Sequence, residues 1–298
     1  MQRTLSRKEK HPRNADLHSH WFLLPAFLIF IVFFIVPTVI SFYFSLTVWS
    51  FDSSRFCGLA NYKMFFSEYA LTIGIKNTFI YAFLTSGVKV VLAFLIAVYL
   101  TGKIKSRNAL RAIVFFPNLL SMVAVGIAFK AMLHPTKGYI NSFLNLLGFS
   151  SVDWLGNRSL ALFSVAAVDI WKGLSIATVI YVAGITSIDK SYYEAAAIDG
   201  ANRWDILRYV TIPLTAASRN TVIILSLIGG LRSFELIWTM TAGGPGFASD
   251  VMPSIIYKQY TQGMYGLSTA GNVILLIMIS IIIFPLQKLL NKSEEAMR

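Results

Sequence analysis

Two closely spaced pairs of ionisable residues stand inside long apolar stretches of the sequence, where a buried charge is costly, and Lys89 lies deep in a third stretch, where it would face a path or a partner. Asp169 and Lys172 are about one helical turn apart in one stretch, and Arg232 and Glu235 repeat that spacing in another. Charges at this depth either neutralise one another between helices or face a water-filled path for a polar solute. A pair such as Asp169 with Arg232 would be structural, whereas unpaired charges would line a path.

Small, polar and aromatic residues flank these charges. Helical spacing puts Ser226, Gly230 and Ser233 on one face of the same predicted helix. The residues that we predict to line a solute path together with the charges are Trp171, Gly173, Ser226, Gly230, Ser233 and Trp238. We predict no catalytic residue and no metal site, because the sequence shows no nucleophile with a base and no His-rich metal set.

Six apolar runs must position these residues. Of the 298 residues, 56% are hydrophobic and 13% charged, which is more apolar surface than a soluble core uses. The runs that could cross about 30 Å of hydrocarbon as helices are 21–48, 73–100, 109–133, 160–185, 216–240 and 267–290. They are apolar on every face, unlike the alternating strands of a barrel. The sequence therefore predicts an all-α membrane protein with six transmembrane helices.

The net charge of +12 would suggest a nucleic-acid partner in a soluble protein, but its placement has another explanation. If the N-terminus is inside, sixteen cations fall on the cytoplasmic side: Arg3, Arg7, Lys8, Lys10, Arg13, Lys103, Lys105, Arg107, Arg111, Lys190, Arg203, Arg208, Arg219, Lys288, Lys292 and Arg298. Only five fall opposite: Arg55, Lys63, Lys137, Arg158 and Lys258. This bias predicts that both termini are cytoplasmic, and no nucleic acid is needed to explain the charge.

The segment between the fourth and fifth runs is polar and basic, and the topology puts it in the cytoplasm. Ser191 is a plausible N-cap with Glu194 three residues later, and Gly200 permits a left-handed helix end. A second helix is predicted from about Asn202 to Tyr209, stopped by Pro213. The segment therefore predicts a helix, a turn and a helix outside the bilayer, where a soluble partner could bind.

This segment resembles the coupling motif of type I ABC importer permeases. The match consists of Glu194-Ala195-Ala196, then Gly200, then 210–213, where Val210 and Ile212 replace the usual Ile and Leu. Flanking segments resemble the carbohydrate-uptake branch, and they are Tyr193-Glu194-Ala195-Ala196, Ile198-Asp199-Gly200-Ala201, Asn77-Thr78, Phe115-Phe116-Pro117, Asp153-Trp154-Leu155-Gly156 and Thr241-Ala242-Gly243-Gly244-Pro245-Gly246. The resemblance covers about 75–290, and its Gly-Gly-Pro segment favours the type similar to the larger permease of the maltose transporter, although the large extra periplasmic domain of that protein is absent from this sequence.

The resemblance implies a type I ABC importer permease fold in a prokaryotic cytoplasmic membrane. It implies a second homologous permease, two ATP-binding cassette ATPases, an extracytoplasmic binding protein and a sugar substrate as partners. The residues it implies for coupling to the ATPase are Tyr193, Glu194, Ala195, Ala196, Asp199, Gly200 and Ala201. It maps the sugar contacts near Lys172, Gly173 and Ile176, and near Ser226, Gly230 and Ser233.

The chain itself is expected to be a non-catalytic subunit without a cofactor. Its sequence has no Gly-x-x-x-x-Gly-Lys-Ser/Thr phosphate loop, so ATP and magnesium are expected on the partner ATPases.

If Lys172 and Arg232 have no acidic partner, they would favour an anionic sugar such as a uronate or sialic acid.

One membrane domain is the expected organisation. It comprises a basic N-terminal tail (1–20), a permease domain (21–290) with the coupling loop 187–213, and a C-terminal tail (291–298). Two alternatives remain open, namely an ABC importer for a non-sugar solute and a secondary transporter. A secondary transporter would more often show inverted repeats or broken helices, and it would have no use for the Glu-Ala-Ala helix.

Overall fold

The computed structural model describes residues 20–49, 53–102 and 104–295. Most of this chain is helical, with one antiparallel hairpin that pairs β1 (Thr47–Trp49) with β2 (Ser54–Phe56). The predicted N-terminal tail, apart from its last residue, and the last three residues of the predicted C-terminal tail lie outside the described residues. Residues 291–295, predicted as part of that tail, continue the last helix instead.

The helices are numbered in chain order. They are α1 (Trp21–Ser45), α2 (Ala60–Ser67), α3 (Tyr69–Thr101), α4 (Arg107–Leu119), α5 (Met122–Met132), α6 (Tyr139–Leu146), α7 (Ala161–Thr186), α8 (Lys190–Ile198), α9 (Arg203–Leu214), α10 (Ala216–Leu231), α11 (Glu235–Thr241), α12 (Met252–Thr261) and α13 (Tyr265–Glu295).

Four of these helices, α1, α3, α7 and α13, are long and apolar enough to cross a membrane alone. Two further spans are bent pairs: α4 meets α5 at 99°, and α9 meets α10 at 67°. Counting each bent pair as one span gives six candidates, as many as the sequence predicts, but α9 belongs to the predicted loop 187–213, so the fifth predicted span (216–240) corresponds to α10 and the residues after it. The third predicted span is therefore not one straight helix, because the chain turns sharply between Leu119 and Met122.

The fifth predicted span (216–240) is also interrupted. Helix α10 ends at Leu231, and the separate helix α11 begins only at Glu235. The two short helices that follow the breaks, α5 and α11, pack on each other and share an apolar cluster with α7. This cluster includes Val125, Val165 and Ile237, so packing between the segments stabilises the interrupted arrangement.

Small residues allow the central helices to approach closely. Ala93 and Ala97 of α3 pack against Ala177 and Tyr181 of α7 and against Val222 of α10. Helix α1 differs, because no residue in its most apolar window is buried, and it packs chiefly through its last part against α13. The core that positions the candidate site is therefore the α3–α7–α10 group.

Candidate functional site

A cavity of about 320 Å³ opens between α3, α7, α10 and the start of α11, and we call it the polar cavity because its largely apolar wall carries six charged or hydroxyl-bearing residues. Its wall is formed by Lys89, Met122, Asp169, Gly173, Ile176, Ala177, Ile180, Val222, Leu225, Ser226, Gly229, Arg232, Ser233 and Glu235. Six of the ten residues predicted for the substrate path line it, namely Gly173, Ile176, Ser226, Arg232, Ser233 and Glu235. The structure brings these residues together from helices that are far apart in sequence.

A buried ion pair joins two of the spans at this cavity. Lys89 Nζ lies 2.7 Å from Asp169 Oδ2, and the two side chains are only 7% and 10% exposed. The predicted pairing of Asp169 with Arg232 is therefore wrong. Lys89 is the partner because α3 packs along α7, and Gly173, one turn beyond Asp169, leaves the space that the Lys89 side chain occupies.

Lys172 lies outside the cavity wall. Its buried amine donates a hydrogen bond to the Pro117 carbonyl at 3.2 Å, and the Ser175 hydroxyl donates to the Val114 carbonyl at 2.8 Å. Both carbonyls lie where α4 tightens into its last turn, and the Pro117 carbonyl also accepts from the Leu120 N–H at 3.3 Å. The amine of Lys172 thus stabilises the bend of the third span, and it does not supply a free charge to the cavity.

The break between α10 and α11 presents two charges to the cavity. Arg232 follows the last residue of α10, Glu235 begins α11, and both side chains are exposed. Within the described part of the chain, neither forms an ion pair. The predicted helical spacing of these two residues is wrong, because the helix is interrupted between them.

Gly230 also differs from the prediction. It is buried against α3, where a side chain would collide with Ala82 and Thr85, so it is needed for close helix packing. The glycine that faces the cavity is Gly229, which the sequence analysis missed. The predicted common face of Ser226, Gly230 and Ser233 therefore does not exist, since α10 ends before Ser233.

The two predicted tryptophans occupy other places. Trp171 lines a separate apolar cavity of about 430 Å³ and contacts the Phe129 ring at 5.2 Å between centroids. Trp238 packs with Phe234 and Tyr257 beside the break of the fifth span. Neither is part of the polar cavity wall.

At the opposite end of the bundle from 187–213, the Asn77-Thr78 segment of the carbohydrate-type resemblance holds the residues that follow the 241–246 segment. The amide of Asn77 donates to the carbonyls of Ala248 and Asp250 at 3.1 and 2.8 Å, and the Met252 N–H donates to the Thr78 hydroxyl at 2.8 Å. The fully buried Asp250 carboxylate accepts from Lys258 Nζ at 2.6 Å. The 242–251 loop is thereby fixed to α3.

The predicted helix–turn–helix of 187–213 is present, with a different first cap. Asp189 is the N-cap of α8 and accepts a hydrogen bond from the Ser191 backbone N–H at 2.8 Å, so Ser191 is not the cap. Hydrogen bonding from Ser191, first from its backbone N–H and then from its hydroxyl, lowers the pKa of the exposed Asp189 carboxyl. This capping contribution is therefore present above the ordinary pKa of aspartate and lost as the pH falls through the lowered value.

The turn and second helix follow the local sequence. Gly200 has φ +77°, the left-handed end that was predicted. Asn202 caps α9, and its side chain and that of Asp205 form a reciprocal capping box. The second helix extends to Leu214, beyond the predicted Tyr209, because Pro213 lies within it and does not stop it.

The surface of α8 has two different sides. Glu194, Ala195 and Ile198 are exposed, and Ile198 retains 86% of its accessible surface. Ala196 and Tyr193 are half-buried, and Tyr193 lines a cavity of about 370 Å³ between the helix and the ends of α3 and α7. Asp199, Gly200 and Ala201 lie at the turn, where the first two are exposed and Ala201 is half-buried. The exposed side is thus available to a partner, while Tyr193 packs against the subunit itself.

Comparison with known proteins finds a matching family and similar permeases. The model of the family described as "Binding-protein-dependent transport system inner membrane component" matches residues 89–295. The chain is 30% identical to the trehalose/maltose transport system permease protein MalF of Thermococcus litoralis, over 94% of this chain and 95% of that protein. It is 31% identical to the arabinooligosaccharides transport system permease protein AraP of Bacillus subtilis, over 88% and 84%.

A solved structure with a similar fold supports the architecture. It is the bacterial alginate ABC transporter in complex with an alginate pentasaccharide-bound periplasmic protein, with a TM-score of 0.78 and 24% identity over 90% of this chain and 91% of that chain. The fold expected from the resemblance, a type I ABC importer permease with six spans, is confirmed.

Proposed function

The chain belongs to the family of binding-protein-dependent transport system inner membrane components, and from this premise we propose that it forms half of the path through which an ABC importer carries a sugar or oligosaccharide. The observation that carries the proposal is the group of charged and hydroxyl-bearing residues that line the polar cavity between apolar spans. Charged and hydroxyl-bearing side chains in such a place provide hydrogen bonds for a polar solute that hydrocarbon excludes.

The driving force comes from partners. Two ATPases bind Mg-ATP, and one of them receives α8 through the exposed Glu194, Ala195 and Ile198. Small residues at this surface allow a close approach, and Ile198 supplies apolar area for the contact. ATP-driven closure of the ATPases moves α8 and α9 and switches the paired permeases between inward-facing and outward-facing packings. A second permease completes the path, and a binding protein delivers the sugar from outside.

The membrane orientation follows from the cations. We place the 187–213 loop and both termini in the cytoplasm, because this loop carries Lys190, Arg203 and Arg208. The membrane domain spans 21–290, and basic tails flank it. The hairpin and the 242–251 loop then face the outside, where the binding protein docks.

The charges that line the polar cavity indicate whether a neutral or an acidic sugar fits it. Lys89 is neutralised by Asp169, and Arg232 is accompanied by Glu235 in the same wall. This balance suits a neutral sugar, and it leaves Arg232 as the one cavity cation of the described chain without an ion-pair partner. The names of the similar permeases, which include trehalose/maltose and arabinooligosaccharides, agree with an oligosaccharide substrate.

Uptake by proteoliposomes tests this function. The transporter, purified with its partners, is supplied with ATP inside and its binding protein outside. We expect ATP-dependent accumulation of at least one sugar from a panel of maltose, trehalose, arabinotriose and an alginate trisaccharide. Accumulation of phosphate or a polyamine and of no sugar would favour the non-sugar importer instead.

The Arg232 side chain provides a sharper test in the same vesicles. If the alginate trisaccharide is carried, Arg232→Gln is expected to lower its uptake roughly tenfold or more, because a charge-assisted hydrogen bond is lost. Uptake of neutral sugars should change less than about twofold. An equal loss for both classes would contradict a carboxylate contact at Arg232, and a wild type that never carries acidic sugars would eliminate that class.

A further inference from the structure

Three aromatic rings pack where the fifth span breaks, outside the polar cavity. The rings of Phe234 and Trp238 stack with centroids 5.8 Å apart. The Tyr257 ring of α12 lies 5.2 Å from Phe234 and 4.7 Å from Trp238, and it meets the indole edge-on at 74°. We call Phe234, Trp238 and Tyr257 the aromatic triad.

The aromatic triad is not part of the hydrophobic core. Leu236, Ile237 and Met240 form the core side of α11 and are at most 1% exposed. Tyr257 is 38% exposed, and Trp238 is half-buried. Helical periodicity puts Trp238 on the same outer side of α11 as Glu235, which lines the polar cavity. The triad therefore lies beside the cavity wall, because Phe234 is flanked by the lining residues Ser233 and Glu235.

Two hydrogen-bond donors of the triad have no partner in the described chain. Neither the Trp238 indole N–H nor the Tyr257 hydroxyl donates to a described residue, and because Tyr257 is exposed and Trp238 only half-buried, both donors are available to a polar ligand. Trp154 provides the contrast of an indole satisfied within the fold, because its indole N–H donates to Asn141 Oδ1 at 3.0 Å. A purely apolar neighbour, such as a lipid chain, would leave both donors of the triad unsatisfied.

We propose that the aromatic triad is an outer sugar subsite, which holds a sugar ring before that ring enters the polar cavity. The ring presents its C–H face to the aromatic faces, and its hydroxyls accept from Trp238 and Tyr257 and donate to the Glu235 carboxylate. This inference rests on the proposed function and adds a second binding position to the path. Occupancy of the subsite keeps a sugar released by the binding protein from escaping before the permease closes.

The test measures sugar imported per ATP hydrolysed in proteoliposomes that contain the whole transporter. The probe is an equimolar mixture of maltose, trehalose, arabinotriose and an alginate trisaccharide, with saturating binding protein. Trp238→Leu is expected to lower the ratio roughly 3- to 10-fold, and Trp238→Phe, which retains a ring, less than about twofold. The control Phe163→Leu changes an exposed aromatic residue of the separate apolar cavity and should leave the ratio unchanged.

A second variant tests the same proposal if the Trp238→Leu subunit does not assemble with its partner subunits. Tyr257→Phe removes only the hydroxyl and is expected to lower the ratio about 2- to 5-fold while ATP hydrolysis continues at the wild-type rate. An unchanged ratio in the Trp238 and Tyr257 variants would overturn the subsite. Loss of the second permease from the purified Trp238→Leu transporter would assign the triad to the subunit interface and also overturn it. Wild-type vesicles that import none of the four sugars would contradict the proposed function, and the subsite with it.

Discussion

Gly200→Trp is expected to abolish ATP-driven sugar uptake while the subunit still inserts into the membrane. Gly200 ends α8 with φ +77°, and a Cβ added there meets no atom of its own chain within 4 Å. The indole would therefore project into the space that the ATPase occupies. We expect uptake to fall by roughly two orders of magnitude, as for the loss of an interface hot spot, and less ATPase to co-purify with the subunit.

A matched variant separates the bulk of the side chain from backbone strain. The left-handed conformation costs roughly 1–2 kcal/mol for most residues, but asparagine tolerates it well. Gly200→Asn is therefore expected to retain most uptake, because its side chain is small and its backbone is unstrained. Wild-type uptake by Gly200→Trp would refute the docking of α8 against an ATPase.

Asp169→Asn is expected to destabilise the subunit by about 3–5 kcal/mol, because it leaves the Lys89 ammonium buried without its counter-ion. The amide cannot neutralise this charge, and the Lys89 side chain is only 7% exposed. We expect a lower yield and a clearly lower unfolding temperature of the purified transporter in detergent. Thermal unfolding followed by circular dichroism measures this effect.

The double variant Lys89→Met/Asp169→Leu is the control. It replaces the pair with apolar side chains of similar size, and such replacement of a buried pair is often neutral or stabilising. Recovery of stability without recovery of uptake would show that the pair also serves the path. An Asp169→Asn subunit as stable as the wild type would contradict the role assigned to the pair.

The spans were predictable because the length of an apolar run can be counted directly in the sequence. The breaks within the third and fifth spans were not predicted. The bend after Leu119 follows Pro117, which gave a local signal. The break from Arg232 to Phe234 has no proline, and α5 and α11 pack on each other beyond the two breaks. Such packing joins segments about a hundred residues apart. A contact of this kind cannot be recognised from the residues near each break.

The sequence also did not identify the ion-pair partners of the buried charges. Helical periodicity relates neighbours on one helix, so it drew attention to the spacing of Asp169 with Lys172. The true partner, Lys89, lies on another helix, and its place deep in an apolar run indicated that it faces a path or a partner without indicating which residue that partner is. Gly229 was missed for a similar reason, because adjacent residues of a helix project in different directions and only the packing of α3 decides which glycine is buried.

The 187–213 loop was predicted more accurately because caps and turns are local. Gly200 and Asn202 specify the turn and the second helix by their own conformational preferences. The cap was placed two residues too late because Asp189 and Ser191 both have side chains suited to capping, and only the structure shows which one accepts the bond. The functional roles of Glu194 and its neighbours remain predictions that the Gly200 variants test.

Isolation of the detergent-solubilised subunit from its native membrane, followed by mass identification of the co-purifying proteins, tests the central claim most directly. The account predicts recovery of an ATP-binding cassette ATPase together with a second permease. Recovery of the chain alone, in a form that is stable and active in uptake, would contradict the account and favour a secondary transporter.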